Sequence, residues 1–386
     1  MHSVERDVPS SGVPPCNPKG SYLAHKREID NAVQAVLDNG QFILGREVSL
    51  FETEFARYIG AGWGVGVGTG TDALLVALRA CDIGHGDAVL TVSHTAVATV
   101  CAIRLSGATP ILVDIDPETF TIDLQRVEDI LKDEKQRRIK AIIPVHLYGH
   151  PVDMRRVMDI AGRHDLCVIE DCAQAHGAEF SGQKVGSFGH FGAFSFYPTK
   201  NLGAIGDGGA LVTSDSDLAE KARMLRQYGW KQRYISETSG MNSRLDELQA
   251  AILRVKLRYL DKENDQRRNI ARQYHQLLCE TALNLPKESE QARHVYHQYV
   301  VRSSQRDELK VYLDKNGVQT AILYPLPIHL QPGYRNNVAV GLGGMIETER
   351  ACREILSLPM YPELTSEQVR AVAHASLDWN RAQEAQ

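Results

Sequence analysis

Residues 166–214, LCVIEDCAQAHGAEFSGQKVGSFGHFGAFSFYPTKNLGAIGDGGALVTS, decide the fold. The apolar run at 166–169 is typical of a buried parallel strand, and the run leads directly to Asp171. Farther along, the glycine-rich residues 206–209 predict a turn into a second strand at 210–213. In open α/β sheets, ligands bind at the carboxyl ends of the strands. The stretch therefore predicts a ligand site beside Asp171.

Lys200 is the only formally charged residue between Lys184 and Asp207. The aromatic residues and glycines around it predict burial, which lowers the pKa of an ammonium group and frees the amine to form a Schiff base with an aldehyde. A solvated loop lysine explains Lys200 alone equally well, and an N-cap for the following segment explains Asp171 alone. Together, the lysine and the acid predict a site for pyridoxal 5′-phosphate (PLP), which also needs an anion cradle.

The chain has 386 residues, 43% of them hydrophobic, which is enough for a large core divided between two domains. We expect a flexible N-terminal arm at 1–20, a large cofactor-binding domain at 21–262 and a small C-terminal domain at 263–386. The net charge of −5, with both signs mixed along the chain, offers no basic surface for nucleic acid or an anionic membrane.

The cysteines and the N-terminal residues indicate in which cellular compartment the protein works. Seven scattered cysteines without a C-x-x-C pair are typical of a reducing environment. The first twenty residues lack the apolar segment of a secretion signal, and no apolar run reaches the roughly 18 residues of a transmembrane helix. We therefore expect a soluble, cytoplasmic protein.

Strand and helix patterns alternate before the central stretch, which predicts an α/β fold with a mostly parallel sheet and helices on both faces. The strands are predicted at 62–68, 88–92, 111–114 and 141–145, and the helices at 26–37, 48–59, 96–106, 124–132 and 154–164. After the central stretch, a smaller α+β domain is expected. Two helices, at 243–260 and onward to about 279, are predicted to lead into this domain. The domain itself is predicted to contain a strand at 297–302, a helix at 306–316 and a strand at 318–323.

Gly68-Thr69-Gly70-Thr71 lies where a strand runs into a helix, and a helix N-terminus offers amide donors and a positive dipole to a phosphate. An ordinary threonine-capped helix explains the same residues as well. The spacing Gly68-x-Gly70-x-x-Ala73 also matches a loose dinucleotide fingerprint, but the next strand does not end in the acid which that fingerprint requires.

Three histidines are candidates for a role at the site. His94 follows a strand, where it is placed either to stack on a cofactor ring or to serve as a structural hydrogen-bonding residue. His146 and His150 are four residues apart, but Gly149 and Pro151 between and after them favour a turn over a helical metal face. We therefore predict no metal site.

Taken together, the motifs resemble the DegT/DnrJ/EryC1/StrS family of sugar aminotransferases, which have the aspartate-aminotransferase fold (fold type I). The resemblance spans roughly residues 22–362 and is most like the branch that acts on nucleotide-linked 3-keto-deoxysugars. The matching blocks are GTGTDALLVAL, TVSHTAVATV, VDIDPETF, AIIPVHLYGHP, VIEDCAQAHGA, FSFYPTKNLGAIGDGGALVTSD, GMNSRLDELQAAILRVKL and YPLPIHLQPGY.

The resemblance implies a role for each matching residue. Lys200 would bind the PLP aldehyde covalently, Asp171 would keep the pyridine nitrogen protonated, and Gln174 would contact the phenolic oxygen of the ring. The remaining implied cofactor contacts are Gly70, Thr71 and Ser195 at the phosphate, His94 on the ring face, and Asn242 reaching the phosphate of the neighbouring subunit. The last contact implies a homodimer with shared sites.

The implied reaction moves an amino group from an amino acid, by family analogy L-glutamate or L-glutamine, to a nucleotide-diphosphate-linked keto-deoxysugar at C3. The candidate sugar-nucleotide contacts are Arg233, Tyr234, Tyr324 and His329. A surface or interface position explains each of them equally well. Relatives with histidine in place of Lys200 act as dehydratases, so the lysine favours transamination. Two alternatives stay open: another fold-type-I PLP enzyme acting on amino acids, and a non-catalytic PLP-binding sensor.

Overall fold

The computed structural model describes residues 12–132 and 138–384. The helices in these ranges are α1 (Pro18–Ala24), α2 (Lys26–Asn39), α3 (Arg46–Ile59), α4 (Gly70–Ala80), α5 (Val97–Ser106), α6 (Leu124–Leu131), α7 (Met154–His164), α8 (Ser216–Leu225), α9 (Glu247–Leu257), α10 (Leu260–Leu278), α11 (Arg306–Lys315), α12 (Ile346–Glu354) and α13 (Ser366–Glu384). The strands are β1 (Trp63–Val67), β2 (Ala88–Val92), β3 (Thr109–Val113), β4 (Ile139–Ile142), β5 (Cys167–Asp171), β6 (Glu179–Phe180), β7 (Gln183–Lys184), β8 (Phe191–Ser195), β9 (Gly209–Thr213), β10 (Trp230–Gln232), β11 (Ile235–Ser236), β12 (Ala292–Arg293), β13 (Tyr299–Arg302), β14 (Ala339–Val340) and β15 (Ile355–Leu358).

Eight strands form the main sheet in the order β1-β9-β8-β5-β4-β2-β3-β14. Only β9 is antiparallel to its neighbours, β1 and β8. Side chains along a strand alternate between the two faces, so Leu211 packs in the core with α4 and α8, while Ala210 and Val212 pack in the core with α3 and α9. Helices thus cover both faces, as a parallel sheet requires. The predicted α/β, fold-type-I architecture is confirmed.

The topology brings three chain segments to one edge of the sheet. Strands β5 and β8 are parallel, with Asp171 opposite Ala193, so Asp171 and Ser195 end near each other. Strand β1 runs in the same direction, because β9 is antiparallel to both β1 and β8. Helix α4 begins at Gly70, three residues after β1. The acid, the serine and the helix N-terminus therefore meet at the carboxyl edge.

The C-terminal part packs helices α10, α11 and α13 around the antiparallel pair β13 and β15. The strand predicted at 318–323 is wrong, since Val318 and Ala321 each form only an isolated bridge, to Val13 and Ser357 respectively. The expected division between residues 262 and 263 falls within the first turn of α10.

Part of the expected N-terminal arm is built into the fold. Residues 1–11 lie outside the described residues. Val13 is buried in the C-terminal core, where its N–H donates to the Gly317 carbonyl at 2.7 Å and its carbonyl accepts from Gln319 at 3.0 Å. Helix α1 follows, and Asn17 caps it by accepting from the Gly20 N–H at 2.9 Å. The sequence analysis missed this helix.

Helix α9 begins later than predicted because Ser243 serves another purpose. Its hydroxyl accepts from the Gly68 N–H at 2.9 Å and donates to the Asp72 carboxylate at 2.7 Å, so it holds the start of α4 and not that of α9. The first residue of α9, Glu247, in turn accepts N–H groups of the first turn of α3. No helix in the described residues is both long and apolar enough to span a membrane.

Candidate active site

Lys200 lies in the connection between β8 and β9, and its amine is available for chemistry. Among the described residues, Lys200 Nζ has no hydrogen-bond partner. Burial lowers the pKa of the ammonium from its ordinary value of 10.5 to about 8, and the negative charge of Asp171 partly opposes this shift. About a tenth of the amine is therefore unprotonated at pH 7, far more than for an ordinary lysine, and the unprotonated form is the nucleophile.

Asp171 is buried at the end of β5 and is held through both carboxylate oxygens. Oδ2 accepts from the Thr99 hydroxyl at 2.8 Å, and Oδ1 accepts from the Ala173 N–H at 3.1 Å. Burial raises the pKa of this carboxyl, while the two hydrogen bonds and the charge of Lys200 oppose the rise. No helix follows directly, so Asp171 is not the helix N-cap considered from the sequence.

Gln174 and Tyr324 form a pair beside this acid. Gln174 Nε2 donates to the Tyr324 hydroxyl at 3.1 Å, and Gln174 Oε1 accepts from the Tyr148 N–H at 2.7 Å. Burial and the charge of Asp171 raise the pKa of Tyr324 to about 12, although the bond from Gln174 lowers it. Tyr324 therefore presents a neutral hydroxyl, and the structure brings it together with Asp171 and Gln174.

The N-terminus of α4 forms a narrow cradle against the ends of β8 and β9. Thr69 caps the helix by accepting from the Asp72 N–H at 3.0 Å. A Cβ added at Gly70 would lie 2.6 Å from Ser195 Cβ, and one at Gly209 would lie 2.3 Å from the Thr69 carbonyl oxygen. Free amides at a helix N-terminus bind anions, so Gly70, with the neighbouring Thr71 and Ser195, fits a phosphate group.

His94 does not belong to this constellation. Its ring is fully buried, with Nε2 2.8 Å from the Tyr148 hydroxyl and Nδ1 3.4 Å from Cys352 Sγ. Burial, with a smaller effect of Arg302, lowers the pKa of His94 to about 4, so the ring is neutral. A ring enclosed in this way has no face left to stack on a cofactor. The second of the two roles expected for His94, that of a structural hydrogen-bonding residue, is therefore favoured.

Three other predicted residues lie away from the buried cluster. Arg233 and Tyr234 occupy the exposed hairpin between β10 and β11, with the guanidinium 4.9 Å from the centre of the tyrosine ring. Asn242 is exposed, immediately before Ser243. Among the residues that the structure describes, none of the three is hydrogen-bonded to Lys200, Asp171 or Gln174 within the same chain.

His329 is tied at both ring nitrogens. Nδ1 lies 2.8 Å from Ser93 Oγ, and Nε2 lies 3.2 Å from Glu349 Oε1. A hydrogen bond from either ring nitrogen to a sugar nucleotide would have to replace one of these contacts. The contact of His329 with the sugar nucleotide stays a prediction.

His146, Glu170 and Cys172 form a buried cluster whose potential ligand atoms lie within 4.8 Å of one another. Hydrogen bonds already account for this cluster. The Val152 N–H donates to His146 Nδ1, and His146 Nε2 lies 3.2 Å from Glu170. Glu170 also accepts the backbone N–H groups of Gly186, Phe188 and Gly189. The glutamate thus holds the loop before β8 in place, and we do not assign a metal ion to this cluster.

Sequence reasoning missed two residues that hold the site. Thr99 orients Asp171 from helix α5, and Tyr148 orients Gln174 through its backbone. Both stood within motifs quoted for the resemblance, TVSHTAVATV and AIIPVHLYGHP, but nothing in those motifs indicated which side chain they would contact. Only the folded arrangement reveals these pairs.

Comparison with known proteins agrees with this geometry. The family model described as the DegT/DnrJ/EryC1/StrS aminotransferase family matches residues 24–376. The chain belongs to this family. It is 45% identical to the "Pleiotropic regulatory protein" of Geobacillus stearothermophilus, over 96% of this chain and 99% of the relative. It is 44% identical to a dTDP-3-amino-3,4,6-trideoxy-alpha-D-glucose transaminase of Streptomyces venezuelae, over 95% of this chain and 96% of the relative.

A solved structure extends the comparison to the fold. The structure of DesV from S. venezuelae, in complex with a ketimine intermediate, superposes with a TM-score of 0.92 at 43% identity and covers 96% of this chain and 99% of DesV. The present chain is accordingly a PLP-dependent aminotransferase.

The residues present fit PLP. The unpartnered Lys200 amine suits the aldehyde, the buried Asp171 suits a protonated pyridine nitrogen, and the cradle at Gly70 suits the phosphate. These features belong to three different segments, which the sheet topology brings to one edge. The family assignment and the local chemistry therefore lead independently to the same cofactor.

Proposed function

We propose that this enzyme transfers an amino group from an amino acid, L-glutamate or L-glutamine, to C3 of a nucleotide-diphosphate-linked keto-deoxysugar in amino-sugar biosynthesis. The observation that carries the proposal is the unpartnered, pKa-lowered amine of Lys200 beside the buried Asp171. The substrate class is supported by the S. venezuelae relative, whose name specifies a dTDP-linked 3-amino sugar.

Lys200 acts as the nucleophile that holds the cofactor and, once released, as the base. PLP supplies an electron sink for the carbanion that forms when the donor loses its α-proton. With the cofactor bound, the Lys200 amine would move the proton between the α-carbon of the donor and C4′ of the ring. Because the pKa of the amine is about 8, the group is able both to accept and to give up a proton near neutral pH.

Asp171 and Gln174 act on the ring. The Asp171 carboxylate would hold the proton of the pyridine nitrogen, and Thr99 keeps the carboxylate oriented. Gln174 would contact the phenolic oxygen, and Tyr324, to which Gln174 donates, would approach the sugar. Gly70, Thr71 and Ser195 would bind the phosphate at the start of α4.

The exposed residues complete the site of a second copy. In a homodimer, Asn242 reaches the phosphate of the partner subunit, and the hairpin carrying Arg233 and Tyr234 covers the sugar nucleotide bound there. Arg233 then pairs with the diphosphate, and Tyr234 offers an aromatic face to the base. The 72% exposure of Tyr234 and the 55% exposure of Ile235 support this arrangement, because large apolar groups clustered on a surface mark interaction sites.

Two further features are part of the proposal. The first twenty residues precede a large domain up to 262 and a small domain from 263, and of these residues Val13 packs in the C-terminal core and Pro18 begins α1. The enzyme acts in the cytoplasm. The domain boundary rests on the polar stretch 261–268, and the compartment rests on the cysteine usage of a reducing environment.

The deciding experiment incubates the holoenzyme with L-glutamate and a panel of keto-deoxysugar nucleotides, with product mass as the measurement. A mass change of ketone to amine on a nucleotide sugar, absent from a Lys200→Ala control, supports the proposal. A parallel panel of keto acids tests the amino-acid-directed alternative. Failure of glutamate and glutamine to convert the cofactor to its amine form would instead support a non-catalytic sensor.

A further inference from the structure

Tyr148 has an unusual backbone conformation next to the active site. It lies in the short 3₁₀ segment Leu147–Gly149 after β4, is almost fully buried, and has a φ of 59°. Positive φ is unfavourable for a bulky residue, and such a conformation persists only where surrounding contacts fix it. The contacts of Tyr148 therefore hold this backbone in place.

The backbone of Tyr148 determines which way the Gln174 amide faces. The Tyr148 N–H donates to Gln174 Oε1 at 2.7 Å, which leaves the Nε2 end to donate to the Tyr324 hydroxyl at 3.1 Å. The reversed amide would place two N–H donors against each other. The left-handed conformation of Tyr148 accompanies this N–H contact with the active-site glutamine.

The side chain of Tyr148 holds the other member of the pair. Its hydroxyl donates to the carbonyl of Leu323, the residue before Tyr324. The hydroxyl has a single proton, so the 2.8 Å contact with His94 must be a donation from His94 Nε2. His94 Nδ1 is then the acceptor for the Cys352 thiol at 3.4 Å. The donor and the acceptor are thus defined for every hydrogen bond in this series, from Cys352 in α12 to the residue before Tyr324.

We propose that Tyr148 is a positioning residue that holds the Gln174–Tyr324 pair against the cofactor ring. Its backbone N–H donates to Gln174, and its hydroxyl donates to the carbonyl of the residue before Tyr324. The inference rests on the proposed function, which places Gln174 at the phenolic oxygen of the ring. Tyr148 itself touches neither substrate nor cofactor. His94, buried behind it, supports Tyr148 by donating to its hydroxyl.

The test is Tyr148→Phe, which keeps the ring and the backbone N–H but removes the hydroxyl. We expect PLP to bind about tenfold more weakly, as the loss of one buried hydrogen bond implies. We also expect the pH midpoint of the absorbance change of the bound cofactor to move by about one unit. Both are measured by titrating the apoenzyme with PLP and the holoenzyme with pH.

The matched control is Tyr274→Phe. Tyr274 is also fully buried and donates its hydroxyl to one carbonyl, that of Pro359, at 3.0 Å, but it lies in the C-terminal core. It should lower the melting temperature without changing PLP affinity or absorbance. If Tyr148→Phe behaves like this control, Tyr148 is merely structural and the inference is overturned.

Gln174→Ala separates the possible failures. If it alters the absorbance and Tyr148→Phe does not, the inference fails and the ring placement stands. If Gln174→Ala also leaves absorbance and affinity unchanged, both the ring placement and the inference are wrong. Should Tyr148→Phe not fold, His94→Leu removes the supporting donor, and we expect a smaller shift in the same direction; an unchanged spectrum there would equally overturn the inference.

Discussion

The buried end of the active site and the exposed hairpin differ in how complete they are within one chain. Asp171 and Gln174 are buried, Tyr324 is half-buried, and all three are hydrogen-bonded to residues of the same chain. Arg233 and Tyr234 contact little beyond each other and Trp230. The first region has its geometry set before any ligand arrives. The second gains a defined role only when another surface is placed against it, which is why we assign it to the partner's site.

The largest effect is expected from Lys200→Ala, which removes the nucleophile and base of the buried region. The rate of cofactor amination by glutamate should fall by at least ~10³-fold. Borohydride reduction followed by peptide mapping should label Lys200 in the wild type.

Lys256→Met is the matched control. Lys256 is another lysine whose pKa burial lowers, but its ammonium donates to the Gly203 carbonyl at 2.6 Å and so is not free. Labelling at Lys256 in place of Lys200 would contradict the whole interpretation of the site.

Asp171→Asn should follow, with turnover reduced ~10²-fold while PLP still binds. The amide keeps the size of the carboxylate but cannot hold the proton on the pyridine nitrogen. Single-turnover absorbance measurements with glutamate separate cofactor binding from the proton-transfer step. Near-normal turnover of this variant would remove the electron-sink role from Asp171.

Arg233→Ala probes the exposed region and should raise KM for the sugar nucleotide by about 10–100-fold, because a charge-assisted contact with the diphosphate is lost. The KM for the amino donor should hardly change. Equal losses for both substrates would count against a nucleotide-binding role for the hairpin.

Mixing two impaired variants tests directly whether the regions belong to different subunits. Lys200→Ala and Arg233→Ala chains are refolded together and assayed at a sugar-nucleotide concentration well below the raised KM of Arg233→Ala. They should recover roughly a quarter of wild-type activity, since half of the random dimers are mixed and each mixed dimer has one intact site. Each variant refolded alone provides the baseline. No recovery would place Arg233 and Lys200 in the site of the same chain.

Thr99→Val is expected to have the smallest effect, about a tenfold loss of kcat/KM. Burial already raises the pKa of Asp171, and the Thr99 hydroxyl opposes that rise. Its removal raises the pKa further, so Asp171 becomes protonated at higher pH and the acidic limb of the pH–activity profile moves upward. Thr95→Val is the control, because among the described residues the Thr95 hydroxyl is hydrogen-bonded to Thr99 alone, at 3.2 Å. An unmoved acidic limb would exclude the tuning role of Thr99.

Sequence reasoning selects residues that the fold brings together where the signal is local. Lys200 is an isolated charge in an apolar stretch, and Asp171 follows an apolar run. It failed where burial depended on distant partners. His94 follows a strand, but the sulfur atom that contacts its ring nitrogen belongs to Cys352, 258 positions away. Thr99 and Tyr148 have partners 72 and 175 positions away, so neither spacing nor composition identifies them.

The close packing at Gly70 and Gly209 has a consequence for redesign of the enzyme. A side chain at either position would collide with the serine or the backbone opposite, so the phosphate end leaves no room for variation. The β10–β11 hairpin is exposed, and surface substitutions usually change folding stability by no more than about 0.5 kcal/mol. Attempts to retarget the enzyme to other sugar nucleotides should therefore randomise residues 231–236 and leave the glycines untouched.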